Sequence, residues 1–165
     1  MSYTILRTPS IYGANADGII LSLLKEIAKE IKIPYVNENN IRNLIYVRNL
    51  TASIRFLMLN NKSENKVFMV KDAESFRLNE IIYRLAELMD KKVRLVKVPL
   101  KGLKLASYMN LSSHSWIQNQ MEIDDNDILK TGFKAPYPTF IGFSEMIEWF
   151  LVNHKQEKKR RFFIG

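Results

Sequence analysis

Cysteine is absent from this 165-residue sequence. Without thiols the chain can form no disulfide, no thiolate metal site and no cysteine nucleophile. Its first residues carry no charged segment ahead of an apolar run, and no apolar stretch approaches the roughly 20 residues needed to span a bilayer. These absences exclude thiol redox chemistry and predict a soluble, cytoplasmic protein.

Glycine is scarce, and its six residues are scattered along the chain. Their spacing matches neither a glycine-rich dinucleotide-binding turn nor a phosphate-binding P-loop. No tyrosine is followed four residues later by lysine, so a Tyr-x-x-x-Lys acid/base pair is also absent. We therefore expect the chain to contain no catalytic residue of that kind and to be inert on its own.

Metal and hydrolytic sites have little support in the sequence. His114 and His154 lack a second ligand at helical spacing, and the serines beside His114 lack a positioned base. The acidic segment 122–127 lacks the glycine and the terminal glutamate of a calcium loop. We interpret its carboxylates as helix-start residues, predict no metal site, and set an independent hydrolase aside.

The composition predicts one folded unit followed by a basic tail. The chain is 47% hydrophobic, with eighteen aromatic residues, which suffices for a core in a chain of this length. Its net charge of +8 is concentrated at the end, where residues 155–165 carry five cations and one anion. We therefore divide the chain into a domain at 1–153 and a tail at 154–165 that is expected to be flexible.

Apolar spacing predicts an α/β fold, because strand and helix patterns alternate. Strands are expected at 3–7, 44–47, 67–70 and 92–98, a loop at 34–40, and a turn at Gly132. A first helix follows Asp17, and a third is expected to be capped by Ser75. The second helix should start at Asn49 and bury four apolar residues, which are Leu50, Ile54, Leu57 and Met58. The final helix is expected to run through Met146, Ile147, Phe150 and Leu151.

Two motifs in order carry a family resemblance. Residues 7–13 read R-x-P-x-x-Y-G, residues 42–47 read R-[DN]-x-[IV]-[YH]-V, and residues 131–136 form a looser glycine and proline turn. Together they resemble the C-terminal, substrate-binding part of extended short-chain dehydrogenase/reductases. Within that family the pattern is similar to NAD-dependent nucleotide-sugar epimerases and dehydratases, especially those of the UDP-glucose 4-epimerase type.

The resemblance implies a fold and a set of site residues. The fold is the C-terminal portion of a Rossmann-type epimerase, a few parallel strands with a small mixed α/β substrate-binding lobe, without the dinucleotide-binding half. Arg42 would contact the diphosphate of a nucleotide sugar, although its local sequence alone is slightly more typical of a surface arginine. Relatives often carry aspartate just after the second motif, where this chain has Arg48 and Asn49. The implied cofactor-binding residues are Pro9, Ser10, Ile11 and Tyr12, and the implied substrate-binding residues are Pro34, Tyr35, Arg42 and Asn49.

The resemblance also implies a function and partners. The chain would bind a nucleotide sugar, with a UDP-sugar the first expectation, while NAD(P) would be held by the parent enzyme. A missing N-terminal Rossmann half would be its partner, and the strands left uncovered predict self-association. The alternative is a non-catalytic module whose basic tail docks on nucleic acid or an anionic membrane, although we expect no specific nucleic-acid recognition.

Overall fold

The computed structural model describes residues 1–30, 32–35, 40–99 and 123–164, with side chains described as far as residue 154. This part of the chain contains short strands and helices in alternation, which confirms the predicted α/β class. The strands are β1 (Thr4–Arg7), β2 (Ser10–Tyr12), β3 (Lys32–Tyr35), β4 (Ile41–Arg42), β5 (Leu44–Tyr46), β6 (Lys66–Met69), β7 (Phe76–Arg77) and β8 (Arg94–Lys97). The helices are α1 (Ile19–Ala28), α2 (Val47–Met58), α3 (Leu78–Leu88), α4 (Asn126–Lys130) and α5 (Thr139–Ile164), with a 3-10 turn at Asn61–Ser63.

The strands form four pairs, of which three are parallel. β1 pairs with β6, β2 with β5, and β3 with β8, while β4 and β7 are antiparallel. Parallel neighbours need a long crossover between them, and the helices provide it. Since β2 and β5 run in the same direction, their carboxyl ends lie together at the start of α2.

The main core lies between α1, α3 and the first half of α5. These helices contribute apolar side chains at helical spacing, and nearly all of them are fully buried. A second cluster joins β5, α2, β6 and α4. The main contributors to the first cluster are Leu23, Leu24, Ile27, Ile81, Ile82, Leu85, Phe143, Met146 and Ile147. The predicted final helix is confirmed; Met146, Ile147 and Phe150 are buried in it, and Leu151 is exposed.

The predicted apolar face of the second helix is confirmed at Leu50 and Leu57, which pack in the second cluster, and wrong at Ile54 and Met58. α2 begins at Val47 and buries Asn49, Ser53 and Leu57, whereas Ile54 is 43% exposed and Met58 is 80% exposed. The physical reason is hydrogen bonding: the Asn49 amide donates to the Asp72 carboxylate and to the Tyr137 carbonyl inside the protein. These bonds orient the face of α2 that carries Asn49 towards the interior.

Two local expectations also fail. Pro34 and Tyr35 were expected in a loop but belong to β3, where the fully buried Ile33 anchors a strand paired with β8. A proline fits a strand that is not hydrogen-bonded on both edges. Ser75 caps no helix, because Phe76 and Arg77 form β7 first. The third helix starts after Arg77, whose backbone N–H donates to Glu80 Oε2 at 2.8 Å.

The basic tail continues the last helix. The backbone of α5 is helical from Thr139 to Ile164, so residues 154–164 extend the element that enters the core. His154, expected as an ordinary surface residue, is half-buried and stacks on Phe150 with ring centroids 5.0 Å apart. The flexibility of residues 154–165 stays a prediction.

Candidate functional site

A buried carboxylate joins the elements around the carboxyl ends of β2 and β5. Asp72 lies in the segment between β6 and β7 and is fully buried. Its Oδ2 accepts a 2.6 Å hydrogen bond from the Tyr12 hydroxyl. Its Oδ1 accepts from the Tyr46 backbone N–H at 3.0 Å and from Asn49 Nδ2 at 2.7 Å. Three donors thus satisfy the carboxylate and fix β2, β5 and α2 relative to each other.

The same network reaches the start of α5. Asn49 uses both ends of its amide on the backbone of Tyr137: Nδ2 donates to its carbonyl at 2.8 Å, and Oδ1 accepts from its N–H at 3.0 Å. The Tyr46 hydroxyl donates to Glu145, which also forms an ion pair with Arg48 at 2.9 Å. The segment before α5 is therefore bound to the segment that follows β5.

Burial controls the ionisation of this network. Burial is the largest cause that raises the pKa of Asp72, and the hydrogen bonds from Tyr12, Asn49 and Tyr46 lower it in part. Burial, then the Asp72 charge, raises the pKa of Tyr12 far above its ordinary value. Burial and the hydrogen bond to Glu145 raise the pKa of Tyr46 to about 12. Both phenols therefore stay neutral at physiological pH and act as donors.

Two glycines permit the close approach that this arrangement needs. A Cβ on Gly142 of α5 would lie 2.7 Å from the Tyr12 ring and 2.8 Å from the Tyr46 ring, so only glycine lets the helix lie on both tyrosines. Gly13, directly after β2, has φ +148°, and a Cβ there would lie 2.7 Å from Val47 Cγ1. The first motif therefore ends in glycine because the chain turns against the first residue of α2.

Arg42 is buried, which corrects the expectation of an exposed guanidinium. Its side chain is 6% exposed, and it lies on β4 opposite Phe76 of β7. Burial lowers the pKa of Arg42, although an arginine remains cationic at neutral pH. The second motif thus places a fixed positive charge two residues before β5, on the element that leads to the network.

The four residues expected at a cofactor lie at β2, but they differ in access. Pro9 and Tyr12 are buried, Ser10 is half-buried and Ile11 is 40% exposed. The Tyr12 hydroxyl is bound to Asp72, and its ring packs on Tyr46 and Phe143 at centroid distances of 5.6 and 5.0 Å. Within this set, Ser10 and Ile11 have side chains that reach the surface.

The remaining expected residues are divided between two places. Pro34 and Tyr35 are half-buried on the β3 and β8 pair, opposite Val96 and Lys97. Asn49 is fully buried inside the network. An aspartate at position 49 would place a second buried carboxylate against Asp72.

Within the described residues, the acidic segment lies at the start of α4, as predicted. Asp124 Oδ1 accepts from the Asn126 backbone N–H at 3.0 Å, as α4 begins. Asp125 lies 3.6 Å from Lys71, and Asp127 forms an ion pair with Lys130 at 3.1 Å. Glu122, His114 and the neighbouring serines lie outside the described residues, and in the part that is described no three potential ligands are grouped for a metal ion.

Sequence reasoning missed Asp72, Glu145 and Gly142. The available signal for Asp72 was a single acidic residue directly after a buried strand, where polar side chains meet the ends of neighbouring strands. Glu145 and Gly142 gave no local signal, because the groups they contact lie about a hundred residues earlier.

Comparison with known proteins adds a relationship that the geometry alone does not give. No family model matches the chain. It is 26% identical over 155 residues to a UDP-glucose 4-epimerase from Vibrio cholerae, covering 92% of this chain and 47% of that protein. It is 21% identical over 170 residues to an N-acetyl-alpha-D-glucosaminyl-diphospho-ditrans,octacis-undecaprenol 4-epimerase from Escherichia coli O157:H7, covering 94% of this chain and 51% of that protein.

The fold gives the same relationship. The chain superimposes with a TM-score of 0.68 and 14% identity on a UDP-glucuronic acid 4-epimerase from Bacillus cereus, solved with UDP-glucuronic acid and NAD. This match covers 88% of the chain and 44% of that structure. The chain spans about half the length of the curated relatives it matches. In the described part, no helix combines the length and the apolar character needed to cross a membrane. In sequence and fold, the chain therefore resembles the C-terminal half of an extended short-chain dehydrogenase/reductase of the sugar-nucleotide epimerase type.

Proposed function

We propose that this chain is the nucleotide-sugar binding region of an NAD(P)-dependent epimerase or dehydratase, and that its ligand is a UDP-sugar. The observation that carries the proposal is the match to a UDP-glucose 4-epimerase over 92% of the chain, with Arg42 in its motif. The sequence contains no Tyr-x-x-x-Lys pair and no glycine-rich turn, so we expect binding by this chain alone to proceed without turnover.

Arg42 is the residue we assign to the diphosphate. A guanidinium offers two parallel N–H donors, which match the oxygens of a phosphate better than a lysine ammonium does. Because Arg42 is 6% exposed, its charge lies in a region of low dielectric, where such a hydrogen bond is stronger than in water. The antiparallel pairing with β7 holds its backbone, so little ordering is needed on binding.

Pro34 and Tyr35 are the residues we assign to the nucleotide base. They are half-buried on β3, which leaves part of each side chain for a planar ring. Asn49 is not carried into this set, because both ends of its amide already bind Asp72 and Tyr137. Its role in ligand binding is to hold the start of α2.

The cofactor assignment rests on Ser10 and Ile11, whose side chains reach the surface of β2. The Bacillus cereus enzyme was solved with NAD, which supports NAD(P) in the parent of this chain. Pro9 and Tyr12 then act as supports, since Tyr12 is fixed by Asp72 beneath that strand. We expect this chain alone to retain no dinucleotide.

Isothermal titration with UDP-glucose and UDP-N-acetylglucosamine tests the proposal. Saturable binding is expected, and it should weaken about tenfold or more in Arg42→Lys, which keeps the charge but loses the fork. Arg55→Gln, an exposed arginine in the last turn of α2, is the matched control. Circular dichroism checks that each variant folds. Absence of binding by the folded, unmodified chain would contradict the proposal, and so would equal binding by folded Arg42→Lys.

A partner surface follows from the β1 and β6 pair. Ile5 and Val67 are direct neighbours across this pair, and they are 46% and 44% exposed. Parallel sheets are ordinarily covered on both faces. We therefore propose that the N-terminal Rossmann half of the parent covers this face, and that the chain self-associates through it when that half is absent. Sedimentation of the unmodified chain and of Val67→Lys tests this. If the unmodified chain is a monomer at high concentration, the self-association proposal is refuted.

A second candidate is attachment to an anionic membrane surface by the end of α5. The helical backbone continues to Ile164, and residues 155–161 hold five cations beside Phe162, Phe163 and Ile164. One relative is named for a lipid-linked sugar diphosphate, which would be presented at such a surface. Removal of residues 155–165 separates the candidates: loss of vesicle binding with retained UDP-sugar binding supports attachment. Binding of nucleic acid but not of anionic vesicles by the full chain would refute it.

A further inference from the structure

A cavity of about 240 Å³ opens between α3, β7 and the start of α5. Its lining contains none of the residues that we assign to the nucleotide sugar or the cofactor. The lining residues are Phe76, Arg84, Glu87, Leu88, Thr139, Phe140 and Phe143. The cavity is therefore separate from the proposed sugar-nucleotide site and needs its own explanation.

The floor of the cavity is aromatic and carries one hydroxyl. Phe76, Thr139 and Phe143 are each less than a tenth exposed, and the two rings lie 6.5 Å apart. The Thr139 hydroxyl helps to lower the pKa of Asp72, yet it makes no hydrogen bond of good geometry within the described structure. This hydroxyl therefore interacts with the Asp72 carboxylate, and the two aromatic rings are the part of the floor that a ligand can contact.

The mouth of the cavity carries one charge of each sign. The Arg84 guanidinium lies 4.7 Å from the centre of the Phe76 ring, and Glu87 follows one helical turn later on α3. Both side chains are exposed, and neither forms an ion pair with another described residue. Phe140, 56% exposed, forms the opposite rim.

We propose that this cavity binds a small molecule in which an aromatic ring carries a carboxylate. The ring would lie between Phe76, Phe140 and Phe143, and the carboxylate would take the fork of Arg84. The volume is below the range of roughly 300–1,000 Å³ that is usual for drug-sized ligands, which limits the occupant to about one ring. Aromatic amino acids and simple aryl acids share this chemistry, and Glu87 discriminates between them, because only an amino acid has an ammonium group for it.

Nuclear magnetic resonance titration of the full chain tests the proposal with L-tyrosine, L-phenylalanine and 3-phenylpropionate, and with glycine as the probe that lacks a ring. Saturable shifts are expected for amides of α3 and of residues 139–143 at concentrations up to about 2 mM, which detects dissociation constants near 1 mM. Glycine should cause none. Absence of saturable shifts with all three aromatic probes would overturn the proposal.

Variants assign the contacts. Arg84→Gln should weaken binding of every aromatic probe about tenfold, since it removes a charged hydrogen-bond partner. Arg94→Gln, an exposed arginine on β8, is the matched control. Glu87→Gln should weaken binding of the two amino acids and leave that of 3-phenylpropionate unchanged. No loss for any probe identifies a simple aryl acid as the class, and equal loss for all three would contradict the assigned Glu87 contact. Unchanged binding in folded Arg84→Gln would refute the site, and UDP-sugar titration of the same variants reports separately on the nucleotide-sugar proposal.

Discussion

The Tyr12 hydroxyl donates a 2.6 Å hydrogen bond to Asp72 Oδ2, and both side chains are fully buried. The two residues lie sixty positions apart. Tyr12 ends β2, and Asp72 follows β6, so this one bond ties the two strand ends together. The loop of the first motif is thereby held against the strand and helix of the second.

Tyr12→Phe should destabilise the protein by about 1–3 kcal/mol, because it leaves one oxygen of a buried carboxylate without its donor. Urea unfolding followed by circular dichroism measures the change. Tyr3→Phe removes a hydroxyl from a tyrosine that is 54% exposed and should change stability little. Equal effects of the two substitutions on the free energy of unfolding would show that the hydrogen bond to Asp72 contributes no more to stability than an exposed hydroxyl does.

Asp72→Asn should change how stability depends on pH. The pKa of Asp72 is raised in the folded state above its ordinary value of 3.8, mainly by burial. Its favourable contribution is therefore complete below that value and is lost as the pH rises through the folded pKa. Asparagine does not titrate. The free energy of unfolding of the variant should therefore increase relative to that of the unmodified chain as the pH rises from about 3 to about 7. Parallel pH curves for the two proteins would contradict this.

Asn49→Asp should be strongly destabilising near neutral pH, by about 3–5 kcal/mol, because it places a second buried carboxylate beside Asp72. Asn49→Ala, which removes the amide without adding charge, is the matched control. Combining Asn49→Asp with Asp72→Asn restores a single carboxylate and should recover much of the loss. Chemical unfolding of the unmodified chain, Asn49→Asp, Asp72→Asn and the double variant gives the coupling free energy between the two positions. Additive losses in the double variant would refute direct contact of the two charges.

Gly142→Ala should destabilise the protein by about 1–3 kcal/mol, although alanine is the better helix former. The added Cβ would lie 2.7 Å from Tyr12 and 2.8 Å from Tyr46, and neither buried ring has room to move. Glu148→Ala, at an exposed position of the same helix, serves as control. Thermal unfolding measures both, and a stabilised Gly142→Ala would show that α5 does not pack this closely.

Leu57→Ala and Met58→Ala test the orientation of α2. Leu57 is 3% exposed and packs in the second cluster, so its truncation should cost about 2–5 kcal/mol. Met58 is 80% exposed, and its truncation should stay within about 0.5 kcal/mol. Similar losses at both positions would favour the face predicted from the sequence over the one observed.

The sequence alone determined the features that depend on near neighbours. The apolar spacing predicted the helices α1 and α3, and both are present, because helical periodicity is a local property. The two motifs predicted the family resemblance, and the chain matches relatives of about twice its length. Both results needed only residues that lie close together in the chain.

Tertiary structure decided the rest. Asn49 faces inward because its amide binds Asp72 and Tyr137, and Ser53 lies one turn later on the same buried face. No pattern within α2 contains that information. Arg42 is buried because β4 pairs with β7 more than thirty residues later. Pro34 lies in a strand because β8 pairs with it from a still greater distance. Each outcome was set by a polar or backbone partner far along the chain, since a buried polar group takes the position in which its hydrogen bonds are satisfied.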